Sequence, residues 1–176
     1  MRWGGSRGTM AEVWPRHEFQ GLESGERRTY LGAMMLACPQ CLTANRVPSE
    51  RLADEPKCGK CGSPVLDGKP KNLDAAAFDA FLSRNELPVL VDFWAAWCGP
   101  CRAMAPAFER AAADMKTRVR FAKLDTEQAQ AVAARYAIHS IPTMILFRGG
   151  REAARVSGAM DARGIQAWLA PHLVTA

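Results

Sequence analysis

Six cysteines in this chain of 176 residues occur as three Cys-x-x-Cys pairs, and they constrain its fold more than any other feature. Sixteen residues separate the pair Cys38/Cys41 from the pair Cys58/Cys61. The third pair, Cys98 and Cys101, belongs to the sequence Trp-Cys-Gly-Pro-Cys, which directly follows an apolar run. The first four cysteines therefore have the spacing of a metal site, whereas the last two have the setting of a redox dithiol.

The spacing C-x2-C-x16-C-x2-C is typical of a tetrahedral four-cysteine zinc site. Gly59 and Gly62 would give the second pair the backbone freedom that such a knuckle needs. Two structural disulfides or a redox role for these pairs remain alternatives. Because four thiolates leave no open coordination position, the zinc is expected to be structural. Residues 36–64 contain too few apolar side chains for a core of their own, so metal binding would supply their folding energy.

Cys98 is placed where a buried strand is followed by a helix. Backbone N–H groups and the positive end of the helix would then lie close to its sulfur and stabilise a thiolate, the attacking species in disulfide exchange. Gly99 and Pro100 would keep the turn tight and start the helix. Cys101, one turn further, is expected to be buried and to resolve the mixed disulfide.

Apolar periodicity from residue 73 onward predicts the order α β α β α β β α, with a short additional strand near Val65-Leu66. This order indicates an α/β protein with a mixed sheet flanked by helices. The predicted organisation is a disordered extension (1–35), a zinc-binding module (36–64), a linker (65–72) and an α/β domain (73–176). Loss of metal is expected to unfold only the module.

Composition excludes several classes of function. The formal charge of +5 is spread along the chain, which argues against a nucleic-acid interface. No apolar run approaches the roughly 18–20 residues needed to span a bilayer. No secretory signal is recognisable at the N-terminus, so a cytoplasmic protein without membrane or nucleic-acid partners is expected. A monomer is expected as well.

The sequence VDFWAAWCGPC, together with Lys123-Leu124-Asp125, Ile141-Pro142-Thr143 and Gly149-Gly150, resembles the thioredoxin family over residues 73–176. With the four-cysteine module in front, the resemblance narrows to the zinc-carrying bacterial thioredoxin 2 type. It implies the thioredoxin fold, a protein-disulfide reductase activity on disulfide-containing proteins, and re-reduction by an NADPH-dependent thioredoxin reductase. Structural zinc and the redox-active disulfide Cys98-Cys101 would be the only cofactors. The four zinc cysteines could also respond to oxidative stress, since zinc thiolates are oxidisable.

By the same resemblance, Cys98 is the nucleophile and Cys101 the resolving thiol. Asp92 would exchange a proton with the buried thiol, the competing interpretation being a core carboxylate paired with Lys123. The substrate groove would be formed by residues at and around the dithiol and the implied cis-proline: Trp97, Gly99, Pro100, Ile141, Pro142 and Gly158. His139 would be only a variable surface residue.

Two rival functions have different signatures. A binding protein that uses the zinc module to recruit partners would not need Cys98 and Cys101. A periplasmic thiol oxidant would carry an export signal, and none is recognisable here. In this chain the Gly-Pro dipeptide between Cys98 and Cys101 also resembles that of the reducing members of the family.

Overall fold

Two β-sheets organise the part of the chain that the computed structural model describes, residues 32–173. The predicted disordered extension, residues 1–35, lies outside the described residues up to residue 31, but residues 33–35 belong to a β-strand, so the prediction of disorder was wrong there. The first sheet pairs β1 (Ala33–Ala37) with β2 (Ala44–Pro48) antiparallel, and a short 3-10 helix (Ser49–Arg51) follows. The second sheet contains β3 (Lys71–Leu73), β4 (Val89–Trp94), β5 (Arg120–Asp125), β6 (Thr143–Arg148) and β7 (Arg151–Ser157).

Four helices accompany the larger sheet: α1 (Ala75–Ser83), α2 (Gly99–Asp114), α3 (Gln130–Arg135) and α4 (Ala162–Leu173). The strand order is β3-β5-β4-β6-β7; β4 runs parallel to β5 and antiparallel to β6. Side chains from α1 and α3 pack on one face of the sheet, and those from α2 and α4 pack on the other. The predicted mixed sheet flanked by helices is confirmed. No helix among the described residues is long and apolar enough to cross a membrane.

The central strand β4 has five buried residues out of six because it is covered by helices on both faces. Val89, Val91 and Phe93 belong to the cluster under α1 and α3, whereas Leu90 belongs to the cluster under α2 and α4. Asp92 has the same parity as Leu90, so its carboxylate lies on the sheet face that α2 covers. This places a buried acid beneath the helix that carries the third cysteine pair.

Local capping explains where two helices begin. The carboxylate of Asp74 accepts a hydrogen bond of 2.7 Å from the Ala77 N–H at the start of α1. Cys98 caps α2, where its Sγ accepts a hydrogen bond from the Cys101 N–H at 3.2 Å. Pro100 occupies the first turn of α2, where a missing N–H costs nothing.

A third apolar cluster joins the small sheet to the larger one. It contains Leu36 and Val47 of the small sheet, Val65 and Leu66 of the connecting segment, and Leu87 just before β4. Two hydrogen bonds reinforce it: the Ala37 N–H donates to the side-chain Oδ1 of Asn85 at 3.0 Å, and the Glu86 N–H donates to the Met35 carbonyl at 2.9 Å. The four-cysteine module is thus packed at the ends where β4 and β5 begin.

The connecting segment differs from the linker predicted for residues 65–72. Val65 and Leu66 are buried, but they are not in a strand; the strand lies later, at Lys71–Leu73, and pairs parallel with β5. The prediction of a strand at Val65-Leu66 was wrong. These two apolar side chains pack in the cluster beneath the module and do not belong to a sheet. The strand's own residues include Lys71 and Asn72, which carry no apolar signal.

Candidate functional site: a disulfide groove and a four-thiol cluster

Cys98 and Cys101 form a disulfide where β4 is followed by α2. Both residues are buried in this oxidised state, so exposure alone does not distinguish them. Position does, because Cys98 lines a surface groove and Cys101 does not. Cys98 is therefore the cysteine of the pair that borders the groove.

The groove beside Cys98 has a volume of about 460 Å³ and is formed by two segments. Trp97, Gly99 and Pro100 come from the dithiol loop, and Trp97 is the one large apolar side chain that is mostly exposed in the described part of the chain. The second segment is the run Ile138, His139, Ser140 and Ile141, and Thr126, which directly follows β5, also lines the groove. An exposed tryptophan beside a disulfide suits the binding of a partly apolar chain.

The second segment ends in a cis peptide bond between Ile141 and Pro142. The Sγ of Cys98 lies 3.8 Å from the Ile141 carbonyl oxygen, so this turn faces the disulfide directly. Gly158, with φ of 105°, follows β7 and donates its N–H to the Pro142 carbonyl at 2.9 Å. Gly158 therefore supports the turn beside the groove without lining the groove itself.

Asp92 is fully buried, and its two carboxylate oxygens have no hydrogen-bond partner among the residues described. Burial raises the pKa of this carboxyl to about 7, although the positive charge of Lys123 acts in the opposite direction. Lys123 stands opposite Asp92 in the β4–β5 register, but its Nζ lies over the Trp94 ring, 4.6 Å from the centroid. The interpretation of Asp92 as a core carboxylate satisfied by Lys123 does not fit this geometry.

The other four cysteines converge on one point. Their sulfur atoms all lie within 4.8 Å of one another; the Cys38–Cys61 pair is 3.6 Å apart and the Cys41–Cys58 pair 3.7 Å apart. A tetrahedral zinc with bonds of about 2.3 Å would require sulfur atoms about 3.8 Å apart. The four side chains therefore fit a zinc ion.

The two halves of this cluster have matching backbone geometry. The Cys38 Sγ accepts from the Gln40 N–H and the Cys58 Sγ accepts from the Lys60 N–H, each at 3.4 Å. The residue that turns the chain has positive φ in both halves, 57° at Leu42 and 73° at Gly62. Gly62 therefore has the predicted backbone role, and the equivalent role of Leu42 was missed because leucine does not indicate such a turn.

Hydrogen bonding and burial act oppositely on the metal-free thiols. Backbone N–H donation from Cys61 and Lys60 lowers the pKa of Cys58 to about 6, whereas burial raises the pKa of Cys38 to about 11. Hydrogen bonds from Thr43 lower the pKa of Cys41. The cluster thus already contains N–H and O–H donors oriented toward thiolates.

The two cysteine sets lie at opposite ends of the strands. Leu87, which packs with Cys38 and Cys58, comes just before β4, and the dithiol comes just after it. Six residues of extended chain cover about 17 Å from the first Cα to the last. The four-thiol cluster therefore forms no part of the groove beside Cys98.

Comparison with known proteins agrees with this geometry. Residues 69–171 match the thioredoxin family, and residues 37–63 match the family described as Thioredoxin 2, N-terminal. Thioredoxin C-3 of Corynebacterium nephridii is 43% identical over 80% of this chain and 96% of its own length. The M-type chloroplastic thioredoxin of Chlamydomonas reinhardtii is 36% identical over 65% of this chain and 84% of its own. A solved structure of a mutant thioredoxin from Halobacterium salinarum superposes with a TM-score of 0.57 at 29% identity, covering 62% of this chain and 95% of that one.

A disulfide at the junction of a buried strand and a helix, in a mixed sheet flanked by helices, defines a thiol–disulfide oxidoreductase. The chain belongs to the thioredoxin family, and it carries an N-terminal zinc-ribbon segment in front of the thioredoxin domain.

Proposed function

We propose that this protein is a protein-disulfide reductase whose electrons pass through Cys98 and Cys101. The observation that carries the proposal is the disulfide beneath the groove, with Cys98 facing the Ile141-Pro142 turn. A substrate strand bound in this groove would present its disulfide to Cys98 and could pair its backbone with this turn.

The reaction balances in two exchanges. The Cys98 thiolate attacks one sulfur of the substrate disulfide, forms a mixed disulfide and displaces the first substrate thiolate. The Cys101 thiolate then attacks the Cys98 sulfur, releases the second substrate thiolate and closes the Cys98–Cys101 disulfide. Two electrons have moved from the protein to the substrate, which leaves as two thiols.

Local groups assist each step. The Cys101 N–H donates to the Cys98 sulfur at 3.2 Å and stabilises its thiolate, together with the N-terminal end of α2. Asp92, uncharged below its raised pKa and ionised above it, is suited to take the proton of Cys101 before the second exchange. Trp97, Gly99, Pro100 and Ile141, which line the groove, would hold the substrate segment, and Pro142 and Gly158 would support the turn behind it.

Re-reduction would come from an NADPH-dependent thioredoxin reductase. A protein of Mycobacterium leprae named bifunctional thioredoxin reductase/thioredoxin is 48% identical over 49% of this chain, which is 19% of its own length. The name of that protein combines both activities in one polypeptide. For the present chain we propose the same transfer of electrons from reductase to thioredoxin, with the reductase as a separate protein.

The zinc ion proposed at Cys38, Cys41, Cys58 and Cys61 would be structural, because the four sulfurs fill a tetrahedral shell. Its bonds to the four thiolates would hold together residues that have few apolar side chains. Cys61 is exposed, which would allow an oxidant to reach the cluster, so a response to oxidative stress remains part of the proposal. The cytoplasm, where thiols stay reduced, is the proposed compartment.

The test is insulin reduction driven by NADPH and a thioredoxin reductase. Cys98→Ser should abolish turnover, because the attacking thiolate is lost. Cys101→Ser should retain the first exchange and accumulate mixed disulfides that mass spectrometry detects. Faster alkylation of Cys101 than of Cys98 in the reduced protein at neutral pH would show that the two roles are reversed.

A further inference from the structure

A second groove lies on the four-cysteine module, well away from the dithiol. Its volume is about 830 Å³, and all five residues of β2 line it. Successive side chains of a strand point to opposite faces, so a groove lined by every residue of β2 follows the edge of the strand and not one of its faces. The opposite wall is formed by Pro56, Lys57, Gly59 and Lys60.

The edge of β2 that borders this groove has no strand partner between residues 32 and 173. The small sheet has two strands, and β1 pairs along the whole of β2 on its other side. An unpaired edge presents a row of backbone N–H and C=O groups, which another extended chain can satisfy by adding a strand. From its first Cα to its last, β2 spans about 14 Å, so the groove has a mean cross-section of roughly 60 Å², enough for one extended chain.

The charge of the groove indicates which kind of extended chain would bind there. Four cations line it, Arg46, Arg51, Lys57 and Lys60, and all four are exposed. The one acid in the lining, Asp54, is held by Arg51 at 3.2 Å, which leaves a formal surplus of three positive charges. A zinc tetrathiolate would carry two negative charges, and the buried guanidinium of Arg120, which interacts electrostatically with Cys38, would offset one of them. The surface along β2 remains positive.

No aromatic side chain lines the groove. Proteins that hold single-stranded nucleic acid stack its bases on aromatic rings, so the lining favours a polypeptide over an oligonucleotide. Together, the free strand edge, the width and the charge point to a single ligand chemistry. We propose that the groove along β2 binds an acidic, extended peptide segment of a partner protein by strand addition.

The direct test measures binding of a fluorescein-labelled (Glu-Val)4 peptide to the full-length, zinc-loaded protein by fluorescence anisotropy. Saturable binding is expected, and it should weaken as salt is raised from 50 to 200 mM because exposed charges are screened. A (Lys-Val)4 peptide should not bind. In a ¹⁵N–¹H correlation spectrum, the acidic peptide should shift the amide signals of Ala44–Val47 and leave that of Trp97 unchanged.

A charge-reversal pair separates this groove from general attraction. Arg46→Glu with Lys57→Glu should weaken binding by at least about tenfold. Arg110→Glu with Arg118→Glu makes the same change in net charge at exposed positions outside the groove and should leave the affinity unchanged. Zinc content and thermal unfolding report whether the first pair still folds; if it does not, Arg46→Gln with Lys57→Gln takes its place.

Backbone pairing is tested on the peptide, where it cannot disturb the protein. A (Glu-Val)4 peptide that is N-methylated at alternate residues keeps its charges but loses donors on one edge, so it should bind at least about tenfold more weakly. If the methylated peptide bound as tightly as the unmethylated one, strand addition would be overturned. If Arg110→Glu with Arg118→Glu weakened binding as much as Arg46→Glu with Lys57→Glu, the assignment of the site to this groove would be overturned.

Two other occupants would also overturn the proposal. Tighter binding of a dT12 oligonucleotide than of the peptide, abolished by Arg46→Glu with Lys57→Glu, would assign the groove to nucleic acid. Peptide binding that appears only after residues 1–31 are deleted would assign the groove to the chain's own N-terminal segment.

Discussion

The carboxyl group of Asp92 is buried in the core without a hydrogen bond from any residue between 32 and 173. A buried carboxylate that lacks donors is costly, whereas the protonated form is much less so. The folded protein therefore keeps a proton on Asp92 at pH values where the unfolded chain has released it. This single residue couples the stability of the fold to pH in the range where the dithiol would work.

Replacing this carboxyl with the neutral, isosteric Asn should remove the coupling. The pKa of Asp92 is raised from 3.8 to about 7, so the free energy of unfolding of the parent should fall as pH rises through this interval and then level off. Asp92→Asn should be more stable than the parent at pH 8, by on the order of 3 kcal/mol, and nearly equal at pH 4.

Urea unfolding of the oxidised proteins across pH 4–8 measures this difference. Glu127→Gln makes the same chemical change at an exposed position and should leave the pH profile unaltered. If Asp92→Asn showed the same pH profile as the parent, a group other than Asp92 would cause the pH dependence of the free energy of unfolding.

At the scale of elements, the junction between the two sheets depends on polar groups that are unusual for an interior. Arg120, the first residue of β5, is 6% exposed and donates to the Val65 carbonyl at 2.6 Å and to the Ala37 carbonyl at 3.4 Å. Its guanidinium also lies 5.6 Å from the centroid of the Phe81 ring. Burial lowers the pKa of Arg120 to about 10. A buried cation held by carbonyls would be stabilised by the negative charge of a zinc tetrathiolate next to it.

This arrangement predicts that Arg120→Met changes stability differently with and without metal. In the zinc-loaded protein the substitution should be destabilising by about 2 kcal/mol, because two buried carbonyls lose their donor and the tetrathiolate loses a compensating charge. In the metal-free protein the loss should be smaller, because the buried cation then keeps the attraction of Asp67 but lacks that of the tetrathiolate.

By linkage, zinc should bind more weakly to Arg120→Met, by about tenfold. Chelator competition measures the affinity, and thermal unfolding measures the stability of both forms. Arg118→Met, at an exposed position two residues earlier, is the control. An equal destabilisation in the loaded and metal-free proteins would show that Arg120 does not respond to the metal.

The same junction shows where sequence patterns suffice and where they do not. The fold of residues 73–173 and the metal spacing follow from apolar periodicity and cysteine spacing, signals carried by many residues together. The burial of Asn85 and Arg120 could not be predicted from the sequence. A polar side chain is stable in the interior when other groups hydrogen-bond to it, and the partners of these two are backbone groups far away in the chain. The groove residues Thr126 and Ser140 were missed for a related reason, since they come together only when β5 and the turn before β6 are placed side by side.

At the scale of the whole molecule, the four-thiol cluster and the dithiol occupy opposite ends of the same sheet. The cluster contacts the residues that precede β4, and the dithiol follows its last residue. The small sheet is also packed on the domain through buried apolar residues and through hydrogen bonds to Asn85 and Glu86. Loss of metal should therefore disturb the packing beneath the module as well as the module itself, while leaving the groove at the far end in place.

Replacing Cys38, Cys41, Cys58 and Cys61 together with serine tests this separation. Zinc binding should be lost and the melting temperature should fall, because the module loses its metal and loosens the cluster around Leu36 and Leu87. Insulin reduction should stay within about twofold of the parent, since distant sites act independently. Loss of activity while residues 73–173 remain folded would show that the module contributes to the groove.

Six thiols in one chain could be joined into three disulfides in fifteen ways. Bridged cysteines have Cα atoms within about 7 Å of each other, and the length of β4 keeps every member of the first set well beyond that distance from Cys98 and Cys101. The folded chain thus leaves three of the fifteen pairings within reach, those that keep Cys98 with Cys101. Under oxidation, the Cys98–Cys101 pair is protected from scrambling by the length of one strand.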